Sequence, residues 1–168
     1  MLYTIDDAVR RQARSPHELL MINLAAFHLA LGPAVLFLGI GAWGLLLPPL
    51  LSSLVIAYIY LRGHRPAGAA PWFVLAHWRL AWRRCRLLLM GYAASAVIIG
   101  GGTLLALSAQ KHSMKEIIFT IATRVGVMPT IVIVLVLFVL SNSGLELAGR
   151  GEVPDGMVKM LPPPADQA

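Results

Sequence analysis

Four long stretches of the chain run almost without charge, and polar segments separate them. Residues 19–41 (LLMINLAAFHLALGPAVLFLGIG) carry no charged side chain. As a helix they reach roughly 34 Å, enough for one bilayer crossing. The apolar run continues to Leu61, and one helix of that length, roughly 64 Å, would carry apolar surface into water. A hairpin solves this, with its turn around Gly39-Ile40-Gly41-Ala42-Trp43-Gly44 and a second crossing over 44–61. Trp43 suits the interfacial belt. Pro48-Pro49 are harmless if the second helix begins near Leu47, and they kink it if it begins earlier.

Residues 87–109 and 117–140 predict a third and a fourth crossing. The third contains Gly100-Gly101-Gly102. Each glycine weakens a helix by about 1 kcal/mol relative to alanine and lets another backbone come close. Arg124 and Pro129 interrupt the fourth.

The polar segments carry helix punctuation. Over 1–14, Thr4 can cap a short surface helix, with Asp6 and Asp7 in its first turn and Arg10, Arg11 and Arg14 toward its end. That order complements the helix dipole. Ser15-Pro16-His17-Glu18 is a capping box with proline in the preferred first position, so it predicts a fresh helix start. Ser113-Met114-Lys115-Glu116 predicts another start at Met114. Residues 62–68 (RGHRPAG) are a loop by composition.

In 71–86, Leu75, Trp78, Trp82 and Cys85 recur at helical spacing, and Arg79, Arg83 and Arg86 form a second line. With Trp72 and Arg84 this is an amphipathic helix. Its rings suit headgroup depth and its guanidinium groups suit lipid phosphates. Residues 141–168 are rich in Gly and Pro and lack periodicity, which predicts an extended tail. The expected fold class is therefore all-α. It is a polytopic membrane protein with four transmembrane helices over 15–140, an N-terminal surface helix over 1–14 and a basic interfacial helix over 71–86.

Composition agrees with the pattern. The chain is 58% apolar and 13% charged, with mean hydropathy +0.73. A soluble domain has about a quarter of its residues charged, so a soluble globule, a disordered chain and a disulfide-rich module are excluded. Arginine outnumbers lysine 11 to 3; with abundant Leu, Ala and Gly this fits a GC-rich bacterial genome. Cys85, the single cysteine, excludes an internal disulfide and any multi-cysteine metal site. Six charges in the first 18 residues argue against a secretory signal peptide, so the first crossing is expected to remain as an anchor.

Charge also sets orientation. One side of the four crossings receives Arg10, Arg11, Arg14, Arg62, Arg65, Arg79, Arg83, Arg84, Arg86, Arg150 and Lys159; the other receives Lys111, Lys115 and Arg124. Eleven against three predicts a bacterial inner-membrane protein with both termini in the cytoplasm. Anionic lipid headgroups are the expected partners of the basic collar, ahead of nucleic acid, because the aromatic–arginine helix runs directly into a crossing.

Candidate chemistry is sparse. His28, mid-span in the first crossing, either binds haem iron, interacts with a quinone or carries a proton, or is a neutral histidine hydrogen-bonded across a helix interface. A bis-histidine haem lacks its second ligand, since His17, His64, His77 and His112 fall at helix ends or in loops. Arg124 either meets an anion or a partner's carboxylate, or snorkels to the headgroups. Ala26, Ala30 and Ala34 form one small-residue face; Ala96 with Gly100, and Gly102 with Ala106, form others that permit close helix packing. No acidic side chain lies within the four spans. No catalytic set or cofactor motif emerges, so neither enzyme activity nor a resident metal or cofactor is expected. The leading expectation is a non-catalytic accessory or structural subunit of a larger inner-membrane complex (respiratory, redox, transport or secretion), bound to other integral subunits. A homo-oligomeric channel or transporter for an anion, using Arg124 and the Gly100–Gly102 hinge, is the alternative. A haem- or quinone-binding anchor through His28 is the third reading.

Overall fold

The computed structural model describes residues 1–38, 42–66 and 68–164. The elements are α1 (Asp7–Asn23), a π-helical stretch (Leu24–Leu31), α2 (Gly32–Phe37), a 3-10 turn (Ala42–Leu46), α3 (Leu47–Gly63), α4 (Trp72–Ser108), α5 (His112–Arg150) and α6 (Asp155–Met160). Among the described residues, four helical segments are long and apolar enough to cross a membrane: Asp7–Val35, Trp43–Gly63, Trp72–Ser108 and His112–Arg150. By length and composition they fit a multi-pass membrane protein.

The first helix departs from the expected punctuation. Asp6, not Thr4, is the N-cap, with extended backbone and Oδ1 accepting from the Ala8 N–H at 3.5 Å. Ser15-Pro16 does not restart the helix; α1 passes through Pro16. Proline removes one backbone bond, to residue 12. Burial of Ala13, Pro16, His17 and Leu20 on one face offsets that loss. The surface segment and the first spanning helix are thus one continuous rod.

Further along, Pro33 cannot donate to Leu29 and its ring crowds that carbonyl. The preceding turns widen, and the Gly32 N–H bonds Phe27 O, five residues back. His28 lies in this π stretch. In the predicted hairpin turn, Gly39, Ile40 and Gly41 lie outside the described residues. The second helix begins at Leu47, so Pro48 and Pro49 occupy its first turn, where their missing N–H groups cost nothing. Asn23 Nδ2 donates to Ser52 Oγ at 2.9 Å, joining α1 to α3.

The chain forms two compact units. One comprises Met1–Cys85 with Phe138–Ala168, the other Arg86–Leu137. In the second, α4 and α5 approach at small residues. A Cβ on Gly102 would overlap Ala122, and one on Gly126 would overlap Ile99. Ser95 Oγ and Thr130 Oγ1 share a hydrogen bond at 2.7 Å, one turn from Gly91, where a Cβ would meet Ile133 Cδ1 at 3.0 Å.

In the first unit, residues 141–150 are helical and not the extended tail that their glycine content predicts. Ser141, Gly144 and Ala148 recur as a buried stripe along this part of α5. The glycine content of this segment hides the stripe, because Gly144 serves packing and not a turn. The helix closes at Gly151 (φ +76°) in a Schellman turn: Glu152 N–H bonds Leu147 O at 2.9 Å and Gly151 N–H bonds Ala148 O at 3.4 Å. Residues 1–3 then pair with 151–153. Tyr3 N–H donates to Gly151 O at 2.9 Å, and Val153 N–H donates to Met1 O at 3.0 Å. Val153 and Met157 are buried.

Candidate functional site

The start of α4 does not present the expected two-faced profile. Every residue from Phe73 to Trp78 is buried, as are Ala81, Arg84 and Cys85. Phe73, His77, Ala81 and Arg84 stand at helical spacing on one line, and this third line places His77 and Arg84 inside the first unit.

There they meet α1. Arg84 Nη1 lies 3.1 Å from His17 Nδ1, His17 Nε2 lies 3.0 Å from His77 Nδ1, and His77 Nε2 lies 3.2 Å from the Glu152 carbonyl oxygen. Guanidinium has donors and no acceptor. Arg84 therefore donates, and His17 Nδ1 must be the bare nitrogen. His17 Nε2 then carries the proton and donates to His77 Nδ1. His77 Nε2–H in turn donates to Glu152 O. All four groups fix one another in a single direction, with both rings neutral and both in the Nε2–H tautomer. The chain ends on a carbonyl just past the C-terminus of α5, the negative end of that helix.

Gly144 makes the approach possible. A Cβ there would sit 2.6 Å from His17 Nδ1 and closer still to Arg84 Nη1. The Phe73 ring covers His77 at a centroid distance of 4.7 Å. Arg84 is only 8% exposed, and among the described residues no carboxylate pairs with it. A buried cation is costly unless hydrogen-bonded, so the imidazole acceptor is part of what holds it.

This arrangement is a lock and not a shuttle. Passing a proton along the histidines would require both tautomers to flip, and the flipped His17 would set an Nδ1–H against an Arg84 N–H. Metal ligation is equally obstructed, since all four ring nitrogens are engaged. Among the described residues no group of three or more His, Cys, Asp or Glu could hold a metal ion.

The other expected residues scatter. Trp78 is buried, and Trp72 Nε1 donates to Leu161 O at 3.0 Å. Arg79 Nε donates to Gly63 O at 3.1 Å, capping the carbonyl end of α3. Trp82 meets Tyr60 edge to face at 4.8 Å. Arg83 and Arg86 remain exposed, whereas Arg84 is buried. His28 is half-buried and apart from the histidine pair, and Arg124 is exposed on α5. Ala26, Ala30, Ala96 and Gly100 face outward, Ala34 is half-buried, and Gly102 packs inward on Ala122.

His17 and His77 were expected at helix ends. They are buried within helices because α1 continues through Pro16 and α4 begins at Trp72. The seven-residue spacing of His77 and Arg84 was the available signal, obscured by the neighbouring arginines. No protein-family model, no curated protein and no solved structure matches this chain.

Proposed function

We propose that the protein is a non-catalytic accessory subunit of a larger membrane assembly, set in a bacterial inner membrane with both termini in the cytoplasm. The eleven-to-three division of basic residues supports that orientation. The first turns of α4 would then lie at the cytoplasmic headgroup level, with Arg83 and Arg86 toward lipid phosphate.

One observation carries the reading. The Ala96–Gly100 face of α4 is exposed, and a Cβ on Gly100 would meet nothing within 4 Å. Small residues at four-residue spacing let helices approach closely, whereas lipid contact has no need of them. Ala26 and Ala30 repeat the arrangement on the first spanning helix. The locked Arg84–His17–His77 chain supports a structural role, since its polar groups are engaged with one another.

A photo-reactive amino acid at Ala96, in cells, tests this. The expected product is a covalent adduct with a different integral membrane protein. An adduct only with lipid, or only with a second copy of this chain, would overturn it.

A further inference from the structure

We propose that a cavity between α1, the end of α3 and the start of α4 binds a phosphate ester bearing an apolar substituent. This goes beyond the subunit reading and does not depend on it. The cavity has a volume of about 440 Å³, and Gln12, Ser15, Arg62, Arg65, Leu75 and Trp78 are among the residues that line it. That volume falls in the range of small-ligand sites.

Two cations, Arg62 and Arg65, line the cavity. Among the described residues no ion pair includes Arg62 or Arg65. Arg62 lies against a pair of touching rings, its guanidinium carbon 5.7 Å from the centroid of Tyr58 and 5.5 Å from that of Trp78. Cation–π contact of this kind steadies a guanidinium while leaving N–H groups to bind an anion. Arg62 Nε is buried and has no hydrogen-bond partner.

The donor set selects among anions. Two guanidinium forks, a Ser15 hydroxyl and a Gln12 amide offer more N–H and O–H groups than the two oxygens of a carboxylate can use. A phosphate ester uses more of them, because its ester oxygens also accept and a monoester carries a third charged oxygen, and it suits arginine geometry. Val74, Leu75 and Trp78 add apolar lining, which suits a hydrocarbon substituent. A phospholipid and a soluble phosphate ester share this chemistry.

Native mass spectrometry of the full chain in detergent tests the site with four probes: phosphatidylglycerol, phosphatidylcholine, glycerol 3-phosphate and inorganic phosphate. One phosphatidylglycerol should bind, about tenfold tighter than phosphatidylcholine, whose choline cation opposes the arginines. Arg65→Gln, an exposed position, should weaken it about tenfold while the chain stays folded, and Lys159→Gln should leave it unchanged. Glycerol 3-phosphate or inorganic phosphate binding as tightly as the lipid would show that the apolar substituent contributes nothing and would overturn the proposal. Failure of every phosphate probe, equal binding of the two lipids, or no effect of Arg65→Gln in a folded variant would each overturn the proposal.

Discussion

His17 Nε2 donates to His77 Nδ1 across 3.0 Å, and the direction of that bond is set by Arg84 on the far side of the His17 ring. The pair joins α1 to α4, and through Glu152 O it joins both to the chain beyond α5. Nitrogen-15 NMR of the histidine rings should show both as Nε2–H tautomers. Arg84→Leu removes the donor that fixes His17, and a mixture of tautomers should follow. Protonated Nδ1 on His17 in the unaltered protein would contradict the chain.

Gly144→Ala should destabilise the protein by about 1–3 kcal/mol, the usual cost of overpacking. The added methyl meets Arg84 Nη1 and His17 Nδ1, and both are held by buried bonds. Gly100→Ala meets nothing within 4 Å and removes a helix-weakening glycine. Its thermal midpoint in detergent should equal or exceed that of the unaltered protein, whereas the Gly144→Ala midpoint falls.

Four long apolar runs made the spanning helices legible, because hydropathy over some 20 residues is a strong signal. Smaller devices were not legible. The Ser15-Pro16 box has the residue types of a helix start, yet tertiary burial of Ala13, Pro16 and Leu20 carries α1 through it. Gly144 and Gly149 suggest a loose tail, yet Ser141, Gly144 and Ala148 keep helical spacing in a buried stripe. The histidine pair joins residues 60 positions apart, and no local pattern reports such a contact. Arg84 sits among Arg79, Arg83 and Arg86, so its burial shows only once the helix face is known.

Gly151→Ala should cost about 1–2 kcal/mol, because φ there is +76° and side chains crowd the backbone in that region. The new Cβ would also lie 2.8 Å from Tyr3 O. Hydrogen exchange at the Tyr3 and Val153 amides should quicken, since both donate across the bridge this residue supports.

Thr130→Val should cost about 0.6 kcal/mol, the average for a side-chain hydrogen bond between spanning helices. It removes the partner of Ser95 Oγ. Reversible unfolding in mixed detergent reads the change. Gly126→Val is expected to be the more damaging of the two, because its side chain would overlap Ile99.

Extraction in a mild detergent, followed by the native mass of the species carrying this chain, tests the subunit reading most directly. The prediction is a particle heavier than the 18.2 kDa chain that contains at least one different integral membrane protein in fixed proportion. A monodisperse species holding this chain alone, with bound lipid and no other protein, would contradict it.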